Sequence, residues 1–139
     1  MYTFRHWILF LFLSAPFMVG CNQKPAQQLA ASVQTIQPNE VAAILQKEKA
    51  LWVDVRTPEE IAAGVITGTT LFADIKAPDF EAKIAALDKS KAYIMYCRSG
   101  VRSSQAAEYM RSKGFTRVYN LEGGILRWPA PLTPPQPQQ

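Results

Sequence analysis

The sequence predicts an α/β domain: a small parallel sheet with helices on both faces. Two compact apolar runs carry that expectation. Leu51–Val55 (LWVDV) is apolar except for Asp54, and Ala92–Tyr96 (AYIMY) has the length and composition of a buried strand. Segments with helical periodicity and their own start and stop signals alternate with the extended ones, the order that builds parallel sheets. Sites in such sheets form beyond the C-terminal strand ends, and Cys97 stands at one of them.

Taken in order, Val33–Ile36 reads as a short first strand. Pro38 marks a helix start, and Val41, Ile44 and Leu45 share one face up to about Lys49. After the Leu51–Val55 strand, Thr57 is an N-cap, Pro58 the first helical residue, and Glu60 the third member of a capping box. Gly64 stops that helix after Ala63. Thr69–Ala73 is a further strand, and Pro78–Leu87 a helix with Phe80, Ile84 and Leu87 on one face. The Ala92–Tyr96 strand leads into a turn, Cys97 to Arg102, and then a helix from Ser103 to Lys113 that Gly114 ends. Arg117–Asn120 is the last strand, followed by a Glu122-Gly123-Gly124 turn and a short helix ending at Trp128.

The chain of 139 residues supports one domain, placed at residues 33–128. Met1–Gly20 has the shape of a secretory signal: one basic residue, Arg5, then an apolar stretch from Trp7 to Val19. That stretch is shorter than the roughly 20 residues a membrane-spanning helix needs. Met18-Val19-Gly20-Cys21 resembles a bacterial lipobox, with Met18 departing from the more usual Leu. The resemblance implies that Cys21 is diacylated and becomes the mature N-terminus. Asn22, in place of Asp, then implies a periplasm-facing lipoprotein of the outer membrane in a Gram-negative cell envelope. Residues 21–32 read as a polar tether, and residues 129–139, rich in Pro and Gln, as an extended or disordered tail. Loss of Arg5 with the signal takes the 15 basic residues to 14 against 11 acidic ones, a charge of +3. No basic cluster points to nucleic acid.

With Cys21 lipidated, Cys97 is the lone thiol of an exported chain, in a compartment that oxidises thiols. Its surroundings favour a reactive thiolate over an inert buried Cys. Successive N–H groups across Cys97-Arg98-Ser99-Gly100-Val101-Arg102, a C-x4-R turn, can form a nest for an anion. Gly100 permits the tight backbone, Arg98 and Arg102 add positive charge, and the helix start at Ser103 adds its dipole. Each lowers the thiol pKa, and the thiolate is the nucleophile.

Four segments together carry a family resemblance. They are Asp54-Val55-Arg56-Thr57-Pro58-Glu59-Glu60, Tyr96-Cys97-Arg98-Ser99-Gly100-Val101-Arg102-Ser103, Gly114-Phe115, and Asn120-Leu121-Glu122-Gly123-Gly124-Ile125 with Trp128. In order and spacing across residues 33–128, they resemble a single-domain rhodanese, a thiosulfate-type sulfurtransferase. The resemblance implies a double displacement. Cys97 takes the outer sulfur of a small anionic donor such as thiosulfate, and a thiol or cyanide acceptor removes it. It further implies that the backbone from Arg98 through Ser99, Gly100, Val101 and Arg102 to Ser103 holds the persulfide, with Arg98 and Arg102 orienting the donor. No metal or organic cofactor is implied. Cysteine phosphatases on the same fold use the longer C-x5-R loop, which suits a tetrahedral oxyanion, so loop length favours sulfur. A non-catalytic binding module of the envelope is the other reading, and the retained Cys97 with both arginines argues against it.

Many rhodaneses carry Gly-His-Ile-Pro-Gly-Ala after the capped helix, where this chain reads Gly64-Val65-Ile66-Thr67-Gly68-Thr69. His6, the only histidine, falls in the signal, leaving no mature His as general base or metal ligand. Asp54 reads as a structural hydrogen-bond acceptor or loop partner supporting the site, and Arg56 as the ion-pair partner of a nearby carboxylate, Glu60 being a candidate. Ser99, Ser103 and Ser104 read as loop and cap residues, and Trp52 and Trp128 as core or rim.

Overall fold

The computed structural model describes residues 33–136. The signal segment, the tether, Cys21 and the last three residues lie outside the described residues. Five strands form one parallel sheet: β1 (Gln34–Ile36), β2 (Leu51–Asp54), β3 (Leu71–Phe72), β4 (Tyr93–Tyr96) and β5 (Val118–Leu121). Their order is β1-β5-β4-β2-β3, which places β4 and its outgoing Cys97 at the centre. Four α-helices connect them: α1 (Val41–Glu48), α2 (Pro58–Ala62), α3 (Phe80–Ala85) and α4 (Val101–Ser112). Short 3-10 turns at Pro38–Glu40 and Gly124–Arg127 complete the chain. Among the described residues, no helix is long and apolar enough to cross a membrane.

The apolar strands read as continuous runs because both faces are covered. Alternate residues divide between two core clusters. Val53, Tyr93, Met95 and Val118 join Phe80 and Ile84 of α3 and Ala106, Ala107 and Met110 of α4. Trp52, Ile94, Tyr96, Tyr119 and Leu121 join Val41 of α1, with Trp128 packed against them. The two indole rings, Trp52 and Trp128, meet edge to face at 5.5 Å. Ile94 and Met95 are fully buried, each worth about 1.5–3 kcal/mol of apolar transfer free energy.

The α2 capping box forms as expected: Glu60 N–H donates to Thr57 Oγ1 at 3.4 Å, and Thr57 N–H to Glu60 Oε2 at 3.3 Å. Several boundaries differ. The expected strand at residues 69–73 shortens to Leu71–Phe72, because Thr69 turns inward and its N–H bonds to the Ile66 carbonyl. The helix expected from Pro78 starts at Phe80, after a turn closed by Phe80 N–H to Ala77 O. The helix expected from Ser103 begins at Val101, because Gly100 adopts φ 93° and reverses the chain two residues sooner. Val101 and Arg102 therefore belong to the first helical turn.

Within the Pro/Gln-rich segment from Pro129, expected to be extended or disordered, Thr133 is docked against the domain. Val65 and Thr133 exchange two backbone hydrogen bonds of 2.8 Å in an antiparallel bridge. Leu132 covers Gly64 so closely that a β-carbon there would sit 2.9 Å from its own. Prolines exclude helix, but the extended backbone they favour is also what a bridge to Val65 needs.

Candidate active site

Cys97 follows β4 and has no solvent exposure. Its loop is built by backbone held from behind. Ile125 N–H donates to the Cys97 carbonyl at 3.0 Å and Leu126 N–H to the Arg98 carbonyl at 3.2 Å. With its carbonyls tied outward, the loop turns N–H groups inward, and Gly100 N–H reaches Cys97 Sγ at 3.1 Å. Two glycines allow this interlocking. A β-carbon on Gly100 would come within 3.1 Å of Gly123 N and 3.2 Å of Leu121 O. One on Gly124, at φ 54°, would collide with the Cys97 and Arg98 carbonyls.

Burial alone would push the Cys97 thiol up. Hydrogen bonds outweigh it: the Ser103 hydroxyl and the N–H groups of Ser103, Ser99 and Gly100 all favour the thiolate, and the pKa lies below the ordinary thiol value. The thiol is unpaired by any disulfide among the described residues. Ser103, read from the sequence as a cap, is fully buried with Oγ 3.5 Å from Cys97 Sγ. The same hydroxyl lies 2.7 Å from Asn120 Oδ1, a buried amide on β5.

The two arginines divide. Arg98 is exposed at the mouth of the loop. Arg102 turns its fork onto Glu60 of α2, with Nη1–Oε2 and Nη2–Oε1 both 2.7 Å. That contact holds the Glu60 carboxyl down to about 2, and Arg102 is raised chiefly by the same bonds, with Cys97 contributing less. Val101 is 65% exposed beside the loop, and Leu126, on the turn bonded to Arg98, is 60% exposed.

Arg56 pairs with Asp54 rather than with Glu60. Its Nε lies 2.9 Å and 3.0 Å from the Asp54 oxygens, and its Nη2 2.6 Å from Oδ2. The remaining donors reach the carbonyls of Glu60 and Gly64 at 3.1 and 2.8 Å. Asp54 and Arg56 thereby support the segment that follows α2. There, in the place of the His-Ile-Pro run of many rhodaneses, Val65 and Ile66 are buried. Ile66 N–H donates to Tyr96 Oη at 3.3 Å, one residue before Cys97.

Asn120 and the Glu60–Arg102 fork were not picked out as site features by sequence reasoning. Asn120 closes the last strand, a place where a polar residue reads as a strand end, and Glu60 was already accounted for by its capping box. Only the register that sets Asn120 beside Met95, two residues before Cys97, brings it to the loop.

Cys97, in a nest of backbone N–H groups at the end of the central strand of a five-stranded parallel sheet, is the centre of the candidate site. Residues 37–130 match the rhodanese-like domain family, and the chain belongs to it. A sulfurtransferase of Allochromatium vinosum is 41% identical over 81 residues, covering 58% of this chain and 73% of that protein. A thiosulfate sulfurtransferase of Stutzerimonas stutzeri is 37% identical, covering 66% of this chain and 81% of its own length. A tRNA uridine(34) hydroxylase of Sinorhizobium fredii is 32% identical, but only 40% of its length is covered. Among solved structures, a rhodanese-like domain protein from Staphylococcus aureus superposes with a TM-score of 0.60 at 30% identity, covering 69% of this chain and 91% of that one.

Proposed function

We propose that this protein is a sulfurtransferase that carries sulfur as a persulfide on Cys97. The thiolate attacks the outer sulfur of an anionic donor such as thiosulfate; the donor S–S bond breaks and sulfite leaves with the electron pair. A nucleophilic acceptor, cyanide or a thiol, then attacks the outer sulfur, and Cys97 leaves as the thiolate. Arg98 draws the donor to the mouth, and the loop N–H groups hold the terminal sulfur. The observation that carries this reading is the buried Cys97 Sγ receiving the Gly100 N–H at 3.1 Å in a loop one residue shorter than the phosphatase form. That cradle suits one sulfur atom rather than a tetrahedral oxyanion.

Intact mass spectrometry after thiosulfate treatment tests it. One added sulfur, removed by cyanide and absent from Cys97→Ser, is the expected result. No adduct on the wild-type protein overturns the enzyme in favour of a binding module, and turnover of an aryl phosphate would favour a phosphatase. As part of the same reading, Cys21 carries lipid and holds the domain on the periplasmic side of the envelope. Radiolabelled palmitate should enter the wild-type protein in cells and not Cys21→Ala; absence of label from the wild type refutes the anchor.

A further inference from the structure

Ser103 Oγ has three acceptors within reach: Asn120 Oδ1 at 2.7 Å, the Gly100 carbonyl at 3.1 Å and Cys97 Sγ at 3.5 Å. A serine hydroxyl has one proton, so only one of them can take it at a time. Which one depends on Asn120. Its amide ends in an acceptor and an NH2 donor of nearly equal size, and either can face Ser103. With oxygen inward, Asn120 draws the proton away from sulfur. With NH2 inward, it donates to Ser103 Oγ and leaves the proton free for Cys97. Both side chains are buried, at 0% and 5% exposure, so water competes little for these positions.

We propose that Asn120 is a positioning residue for the sulfur chemistry: acting through Ser103, it supplies a hydroxyl hydrogen bond to Cys97 Sγ while that sulfur is negative and withdraws it once the charge has moved outward. The proposal rests on the persulfide cycle above. In the loading step, Sγ gives up its charge as the new S–S bond forms, and the hydroxyl turns to Asn120. In the release step the acceptor breaks that bond, the electron pair returns to Sγ, and the hydroxyl turns back to receive it. The effect is asymmetric, because a donor on Sγ stabilises the leaving thiolate but does not strengthen the attacking one.

The other charged groups around the loop are Arg98, Arg102 with its Glu60 partner, the closed Asp54–Arg56 pair, and Glu122, which Gln37 and Arg127 already engage. Asn120 brings no charge of its own.

The test is the pH profile of iodoacetamide alkylation at Cys97, located by peptide mass in the full chain. Asn120→Asp keeps the shape but can only accept from Ser103, and should raise the profile midpoint by about one pH unit. In a Ser103→Ala background the same replacement should move it less than half as far. An equal shift in both backgrounds means charge acting through space, and no shift means no link; either overturns the proposal. Asn120→Leu, which buries no charge and leaves Ser103 Oγ with neither the competing acceptor nor the NH2 donor, should move the midpoint by less than the aspartate does and only where Ser103 is present, and serves if the aspartate variant does not fold. A second readout separates the half-reactions. Ser103→Ala should slow cyanide release of sulfur about tenfold while leaving thiosulfate loading above the thiol pKa within about twofold, with Ser103→Thr restoring release. Equal loss in both halves would show a merely structural role. Alkylation needs no sulfur transfer, so a protein that never loads sulfur refutes the cycle without deciding the alkylation result.

Discussion

Gly124 lies against the Cys97 carbonyl so closely that no β-carbon fits between them. The turn after β5 is thus the back wall of the Cys97 loop, and its Ile125 and Leu126 N–H groups fix which way the loop's own amides point. Gly124→Ala would add a carbonyl collision to a positive φ that alanine adopts poorly. We expect about 2–4 kcal/mol of destabilisation in a urea melt. We also expect the low-pH shift of the Cys97 alkylation profile to be lost, since that shift needs the inward N–H groups.

The Glu60–Arg102 fork has a definite pH signature. Glu60 is held from 4.5 to about 2, so its contribution to stability is complete above pH 4.5 and is lost as the pH falls toward 2. Glu60→Gln should flatten that acid limb and cost about 1 kcal/mol at neutral pH, the pair being partly exposed. Thermal melts between pH 2 and 7 make the comparison.

Arg98 and Arg102 should separate kinetically. Arg98 is exposed and free to meet an incoming anion, so Arg98→Ala should raise KM for thiosulfate about tenfold with kcat changed little. Arg102 is occupied by Glu60 and sits beside the thiol, so Arg102→Ala should lower stability and kcat together. Steady-state assays of the two variants decide this, and a shared KM effect would mean both contact the donor.

Removing residues 131–139 should cost about 1–2 kcal/mol, from the two Val65–Thr133 bonds and the Leu132 cover over Gly64. Amide exchange should quicken at Val65, whose N–H loses its partner, and far less at Met95 in the central strand. Unchanged exchange at Val65 would show that the bridge adds nothing.

Most of the fold was legible because local signals agreed with it. The uninterrupted apolar runs of β2 and β4 state that both sheet faces are covered, and the Thr57–Glu60 box marks α2 at its first residue. Boundaries went astray where tertiary contacts decide them. Gly100 reads as a loop glycine until its approach to Gly123 and Leu121 makes it the cap of α4. Arg56 chose Asp54 because the two are buried together; sequence spacing allowed Glu60 equally. Cys97 stands out as a candidate from its own loop, whereas Asn120 and Glu60 approach that loop from β5 and α2, across separations that no local pattern records.

The strand order bears on the chain during its synthesis. β4 is paired on one side with β2, which precedes it, and on the other with β5, which follows, and the loop's back wall comes later still, at Gly124–Arg127. A chain halted before that turn has Cys97 but lacks the Ile125 and Leu126 N–H groups that tie the Cys97 and Arg98 carbonyls. The tied loop around Cys97 is therefore completed last, once the turn after the final strand has closed behind it.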